Sequence, residues 1–371
     1  MERAKARRRR LALVVLGALA IVAFALGARL GDSAPPREKA AEALPLTQLA
    51  GQRLVVGLSG TAVAPRLETA IRRGRVAGVV LFADNFPSRA AGRRLVARLQ
   101  AIRRPPRLRD PLLVMVDQEG GLVKRVGGPP AASAAAMGAR GPAYSREQGR
   151  LTAANLRPLG VNVDLAPVLD VARPGGTIAA TERGFGSDAE QVAATAVPFA
   201  VGLQEGGVAA TAKHFPGMGA AGENTDFAVQ RIGLPAPELR AVDEAPYREF
   251  IAAGGDLVML STAIYPALSP LPAAFSRPIA TGELRTRLGF QGVTITDALD
   301  TVAVRAFAAP VRAGVAAARA GSDLLLFTAP GPAERAWRAL LAQLRSGGLD
   351  RGEFLAAAQR VLDLRRELAS G

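Results

Sequence analysis

One histidine occurs in the chain, His214, and it follows one of only four lysines, Lys213. The pair comes directly after a short apolar run, 209–212. Other apolar runs end in the same way. Residues 112–116 lead into Asp117-Gln118-Glu119-Gly120-Gly121, residues 161–165 into Ala166-Pro167-Val168-Leu169-Asp170, and residues 293–296 into Asp297. A carboxylate fixed at such a position can act as a nucleophile or a general base, and cationic neighbours can hold a polar substrate. For Asp297 the plain structural alternative is a helix N-cap, because an Ala- and Leu-rich stretch follows it. For His214 the alternative is a satisfied core imidazole, against which the adjacent Lys213 argues. With no cysteine, thiolate catalysis, disulfides and cysteine-ligated metals are excluded. There is no histidine pair to suggest a metal, and no cofactor motif.

The elements that must position these residues follow a regular plan. Short apolar runs at 54–58, 78–82, 112–116, 161–165, 209–212, 257–260, 293–296 and 323–327 have the length and Val, Leu and Ile content of buried parallel strands. Helical stretches lie between them, at 88–104 behind a serine cap, at 236–253 and at 310–320. The stretch 333–368 is mostly helical. Eight strand-then-helix units predict an α/β fold, a (β/α)8 TIM-type barrel as a single catalytic domain. In such a barrel chemistry gathers past the C-terminal ends of the strands, where these polar residues fall.

Arg7 to Arg10 precede an 18-residue uncharged apolar run, 11–28. The pattern predicts an N-terminal transmembrane anchor with the domain outside the membrane; a cleaved signal peptide is the alternative. Residues 1–31 are therefore assigned to the basic N-terminus and apolar helix, 32–45 to a Pro-containing linker, and 46–371 to the barrel. Net charge is +15, almost all from arginine. The excess reads as a solvated surface, able to meet anionic polymers or lipid headgroups. No nucleic-acid motif is present.

Several blocks resemble the family 3 glycoside hydrolases, in particular the bacterial β-N-acetylhexosaminidase branch. They are Gly51 to Gly57, Asp117-Gln118-Glu119-Gly120-Gly121-Leu122-Val123-Lys124-Arg125, Gly160 to Asp170, Arg183-Gly184-Phe185-Gly186, Lys213-His214-Phe215-Pro216-Gly217-Met218-Gly219, and Gly289 to Leu299. They keep the family's order over about residues 50–330. The resemblance implies a retaining glycosidase with Asp297 as nucleophile, Asp300 being a weaker candidate. It also implies that Asp117, Arg125, Arg183, Lys213 and His214 bind the sugar, a β-linked N-acetylhexosaminide or cell-wall fragment. Glu119 is expected to orient the Asp117 turn, and Asp164 and Asp170 to hydrogen-bond within the barrel, outside the site.

Departures from the family pattern are local. The family's second histidine falls on Met218, and its Asp-x-His acid/base dyad falls on Asn224-Thr225-Asp226. Leu122 replaces an arginine. Asp226 and Glu223 are the loop carboxylates able to replace the dyad, Asp226 only with a raised pKa. Either one would have to come within about 5–6 Å of Asp297. Three readings follow: a hydrolase with an atypical acid/base, a sugar-binding homologue without catalysis, or a phosphorylase.

Overall fold

The structure, a computed structural model, describes residues 40–370, so the apolar run 11–28 and most of the linker lie outside it. Among the described residues no helix is long and apolar enough to cross a membrane. Ala41 and Leu44 are already buried, ahead of the first helix at Leu46–Gly51.

Eight strands follow in chain order: β1 Leu54–Gly57, β2 Gly78–Val80, β3 Leu113–Val116, β4 Val163–Asp164, β5 Ala209–Phe215, β6 Leu257–Leu260, β7 Val293–Thr296 and β8 Leu325–Phe327. Each pairs in parallel with the next, from β1 through to β7, and β8 pairs with β1. A parallel bridge between Ile295 and Leu324 brings β7 against β8, with Leu324 N–H donating to Thr294 O at 2.8 Å. The ring of strands is thereby nearly closed, consistent with the predicted barrel.

Alternation along the strands separates two apolar sets. Val55, Val80, Leu113, Met115, Val163 and Leu257, with Met259, Val293, Ile295 and Leu326, form one cluster that fills the lumen. Their neighbours Leu54, Val56, Val79, Val114, Val116 and Val258 pack outward into the larger core beneath the helices. Every strand residue is buried, which is why most of the strands read as short, largely apolar runs.

The C-terminal helix, Arg351–Ser370, closes one end of the lumen. Its Val361 and Leu364 belong to the lumen cluster. Arg360 pairs with Asp323, just before β8, and Arg365 donates to Gln52, before β1, and to Pro111 O, before β3, at 2.9 Å. All three partners precede strands, so the helix stoppers the N-terminal end and leaves the C-terminal mouth for chemistry.

One helical expectation is corrected, and the mostly helical C-terminal stretch is found as two helices. The stretch 236–253 is broken into Ala236–Glu238, a wider turn at Leu239–Asp243, and Ala245–Ala252. Pro246 lacks the N–H an unbroken helix would need. The C-terminal stretch divides at Gly347, whose φ of 73° ends the helix Pro330–Ser346.

Candidate active site

The loop after β3 is held by Gln118, which is fully buried. Its Nε2 donates to Val126 O and Pro129 O, both at 2.8 Å, and its Oε1 accepts from the N–H groups of Arg125 and Val126, both at 3.0 Å. Its own N–H donates to Asp164 Oδ1 at 2.9 Å. The turn is tight: a Cβ on Gly120, at φ 98°, would lie 2.2 Å from Ala132 O. Asp117, Glu119 and Arg125 are thus presented on a fixed loop.

Lys213, at the far end of β5, is buried and reaches across the mouth. Its Nζ lies 2.7 Å from Asp117 Oδ1 and 2.7 Å from Glu119 Oε1. Arg183 donates to both Glu119 oxygens at 2.8 Å, and Arg125 donates to Asp117 Oδ2 at 3.2 Å. Cations and carboxylates alternate, Arg125, Asp117, Lys213, Glu119, Arg183, with three positive charges to two negative. Burial alone would raise Glu119, but the Arg183 and Lys213 charges hold it well below the usual carboxylate range. Burial likewise opposes ionisation of Asp117, and Lys213 and Arg125 overturn that effect. Lys213 itself would be lowered by burial; Asp117 and Glu119 raise it, so the ammonium is secure.

His214 is clamped by Asp170. The Asp170 Oδ2 lies 2.7 Å from His214 Nδ1, while Oδ1 accepts the N–H groups of His214 at 3.1 Å and Met218 at 2.7 Å. A carboxylate at Nδ1 sets the ring's orientation. Asp170 therefore belongs to the site's support, contrary to its placement outside it. Asp164 acts one step further back, through Gln118, and burial pushes its carboxyl up to about 8. Glu119 does more than orient the turn, since it binds both Arg183 and Lys213. The strand-end position of Asp170 was a usable signal for its role.

Asp297 stands at the end of β7. Its N–H donates to Leu260 O at 3.0 Å, and its Oδ1 accepts the Ala298 N–H at 2.7 Å. It does not cap the next helix: Val302–Phe307 is capped by Thr301, whose hydroxyl accepts the Val304 N–H at 3.4 Å. Asp300 is taken up by Thr328, accepting from its N–H at 2.9 Å and its hydroxyl at 3.1 Å.

The loop after β5 carries Asp226, whose carboxyl is within electrostatic reach of Asp297. Met218 is buried, and the Thr225 hydroxyl contacts its sulfur at 3.8 Å. Asn224 Oδ1 accepts the Asp226 N–H at 2.9 Å, Asn224 Nδ2 donates to Asp226 Oδ2 at 3.3 Å, and Val302 N–H donates to Asp226 O at 3.3 Å. Burial pushes the Asp226 carboxyl up to about 6, and the Asp297 charge adds to the rise; His214 and Asn224 oppose it. Glu223 lies exposed on the same loop, its N–H bonded to Gln230 Oε1 at 3.3 Å.

A carboxyl raised by burial and by the charge of a second carboxylate is suited to hold a proton for glycosyl transfer. At the C-terminal mouth of a (β/α)8 barrel, beside an array of cations and carboxylates fit to bind hydroxyls, it defines a carbohydrate-active barrel. Residues 46–364 match the model of the glycosyl hydrolase family 3 N terminal domain; the chain belongs to that family and is a glycosyl hydrolase. It is 38% identical to an uncharacterized secreted glycosyl hydrolase of Arthroderma benhamiae, over 94% of this chain and 99% of that one. It is 36% identical to a β-hexosaminidase of Xylella fastidiosa, over 75% and 83% of the two chains. Among solved structures, a family 3 β-N-acetylglucosaminidase from Paenibacillus sp. superposes with a TM-score of 0.83 at 34% identity, covering 88% of this chain. The chain spans 63% of that longer protein.

Proposed function

We propose that the chain is an exported, retaining β-N-acetylhexosaminidase in which Asp297 is the nucleophile and Asp226 the acid/base. What supports this reading is the place of Asp226, partly buried on a loop bonded to Val302 just past Asp297, with its carboxyl raised by burial and by the Asp297 charge. In the first step Asp297 attacks the anomeric carbon while Asp226 gives its proton to the glycosidic oxygen, and the aglycone leaves as an alcohol. In the second, Asp226 takes a proton from water, which attacks the glycosyl-enzyme and frees Asp297. Glu223, exposed on the loop, takes no part.

Sugar binding falls to Asp117, Arg125, Arg183, Lys213 and His214. Their charge array is fixed before substrate arrives, so donors stand ready for hydroxyls whose hydrogen bonds strengthen in the transition state. The Paenibacillus relative supports N-acetylglucosamine as the sugar, and the Xylella relative a hexosaminide. The basic and apolar N-terminus, together with the secreted Arthroderma relative, supports a domain that works outside the cytoplasm, either anchored or released by signal cleavage.

Hydrolysis of 4-nitrophenyl β-N-acetylglucosaminide tests the reading. Nitrophenol leaves with little acid assistance, so the chain gives turnover or at least a burst, and Asp297→Ala gives neither. No nitrophenol from the wild-type chain, alongside measurable binding of N-acetylglucosamine, would leave a sugar-binding homologue instead.

A further inference from the structure

Large apolar side chains are exposed at only a few places among the described residues, and their distribution is uneven. Leu122 (79% exposed), Phe227 (67%), Val229, Leu271, Val302 and Phe307 all lie on the loop or the first short helix that follows β3, β5, β6 or β7; Leu151, also after β3, lies further on, in the helix Pro142–Leu156. Single exposed apolar residues are ordinary, but their gathering at one face of a molecule marks a binding surface. Here that face is the mouth of the barrel.

Backbone pairing draws four of the six together. Arg231 bridges Ile264, and Ile264 bridges Pro272, which lace the segment carrying Phe227 and Val229 to the loop carrying Leu271. On its other side the same segment is tied to Val302, through the Val302 N–H to Asp226 O bond at 3.3 Å. The position of Asp226 then says which part of a substrate this rim meets. An acid/base must reach the glycosidic oxygen, which lies between the bound sugar and the group that leaves. Phe227 is the next residue in the chain, and Val302 bonds Asp226 directly. The sugar side of the site carries the charge array Arg125, Asp117, Lys213, Glu119 and Arg183; beside the acid/base, Phe227, Val229 and Val302 add exposed apolar surface next to the polar Glu223 and Asn224.

We infer that the aglycone subsite is apolar, with Phe227 its principal specificity-determining residue and Val302, Val229 and Leu271 around it. The substrates favoured are β-N-acetylhexosaminides whose aglycone offers an alkyl or aryl surface. This rests on the assignment of Asp226 given above.

Binding of sulfur-linked glycosides, which resist hydrolysis, separates the two claims. Calorimetry on the full chain compares the methyl and hexyl 1-thio-β-N-acetylglucosaminides. Burial of about two methylenes' worth of the longer chain makes hexyl bind about tenfold more tightly. In Phe227→Ser the gap shrinks to about twofold, and Phe227→Leu restores most of it. Because Phe227 is exposed, neither change threatens the fold. Equal binding of the two ligands by the wild-type chain, or a gap untouched in Phe227→Ser, would overturn the inference. Hydrolysis of oxygen-linked glycosides without the gap would sink the inference alone. The gap without hydrolysis would sink the hydrolase mechanism and leave the apolar subsite standing.

Discussion

At the scale of single residues, Asp226 decides what the site can do. An aspartate of ordinary pKa is ionised at neutral pH and cannot donate a proton. Partial burial and the Asp297 charge raise this one to about 6, which leaves a useful protonated fraction near neutrality. The first step needs Asp226 protonated, so kcat/KM falls about tenfold per unit as the pH rises above about 6. For an alkyl glycoside the wild-type profile therefore bends near pH 6. Asp226→Asn loses the bend along with roughly 10²- to 10⁴-fold in rate. A bend near pH 4, the value of a solvated aspartate, would contradict the electrostatic account. The role proposed for Asp226 was only partly legible in the sequence. The resemblance located the loop, and elementary chemistry named two loop carboxylates. Choosing between them required burial and a neighbour's charge, neither of which follows from residue type.

At the scale of elements, the strands were legible because each is buried on both faces and most of them read as short, largely apolar runs. Their ends placed Asp117, Lys213, His214 and Asp297 correctly at one mouth. Less legible was the support beneath them. Gln118 and Asp170 act through hydrogen bonds to backbone groups, which leave no periodic mark in a sequence. The seat of the C-terminal helix was also hidden, since helical periodicity does not say what surface the apolar stripe covers. That helix is held by Arg365, which is 1% exposed and donates to the carbonyls of Pro111 at 2.9 Å, Leu108 at 3.2 Å and Asp110 at 2.5 Å. Arg365→Ala strands these acceptors and is expected to cost about 3 kcal/mol of stability. Denaturant melts would show the loss. KM should hold, because the helix and the site lie at opposite ends of the barrel. A neutral effect on stability would mean that the helix is not the stopper described.

At the scale of the whole molecule, one barrel separates its tasks by end and by wall. The N-terminal end is closed by a helix, the lumen is filled, and the C-terminal mouth carries a charged floor with an apolar rim. Family and fold class were readable from ordered blocks of sequence, whereas the rim was not. Leu122, Phe227, Leu271 and Val302 are far apart in the chain, and only loop pairing across the mouth gathers Phe227, Leu271 and Val302. The central claim is that Asp226 has taken over as acid/base in a retaining reaction on Asp297, and azide rescue tests it most directly. Asp226→Ala is assayed on 4-nitrophenyl β-N-acetylglucosaminide with and without sodium azide, an anion that attacks without base assistance. Azide is expected to speed release of nitrophenol roughly tenfold or more, with the β-glycosyl azide as product. An inert response in Asp226→Ala with rescue in Glu223→Ala would contradict the assignment, and an α-glycosyl azide would contradict retention.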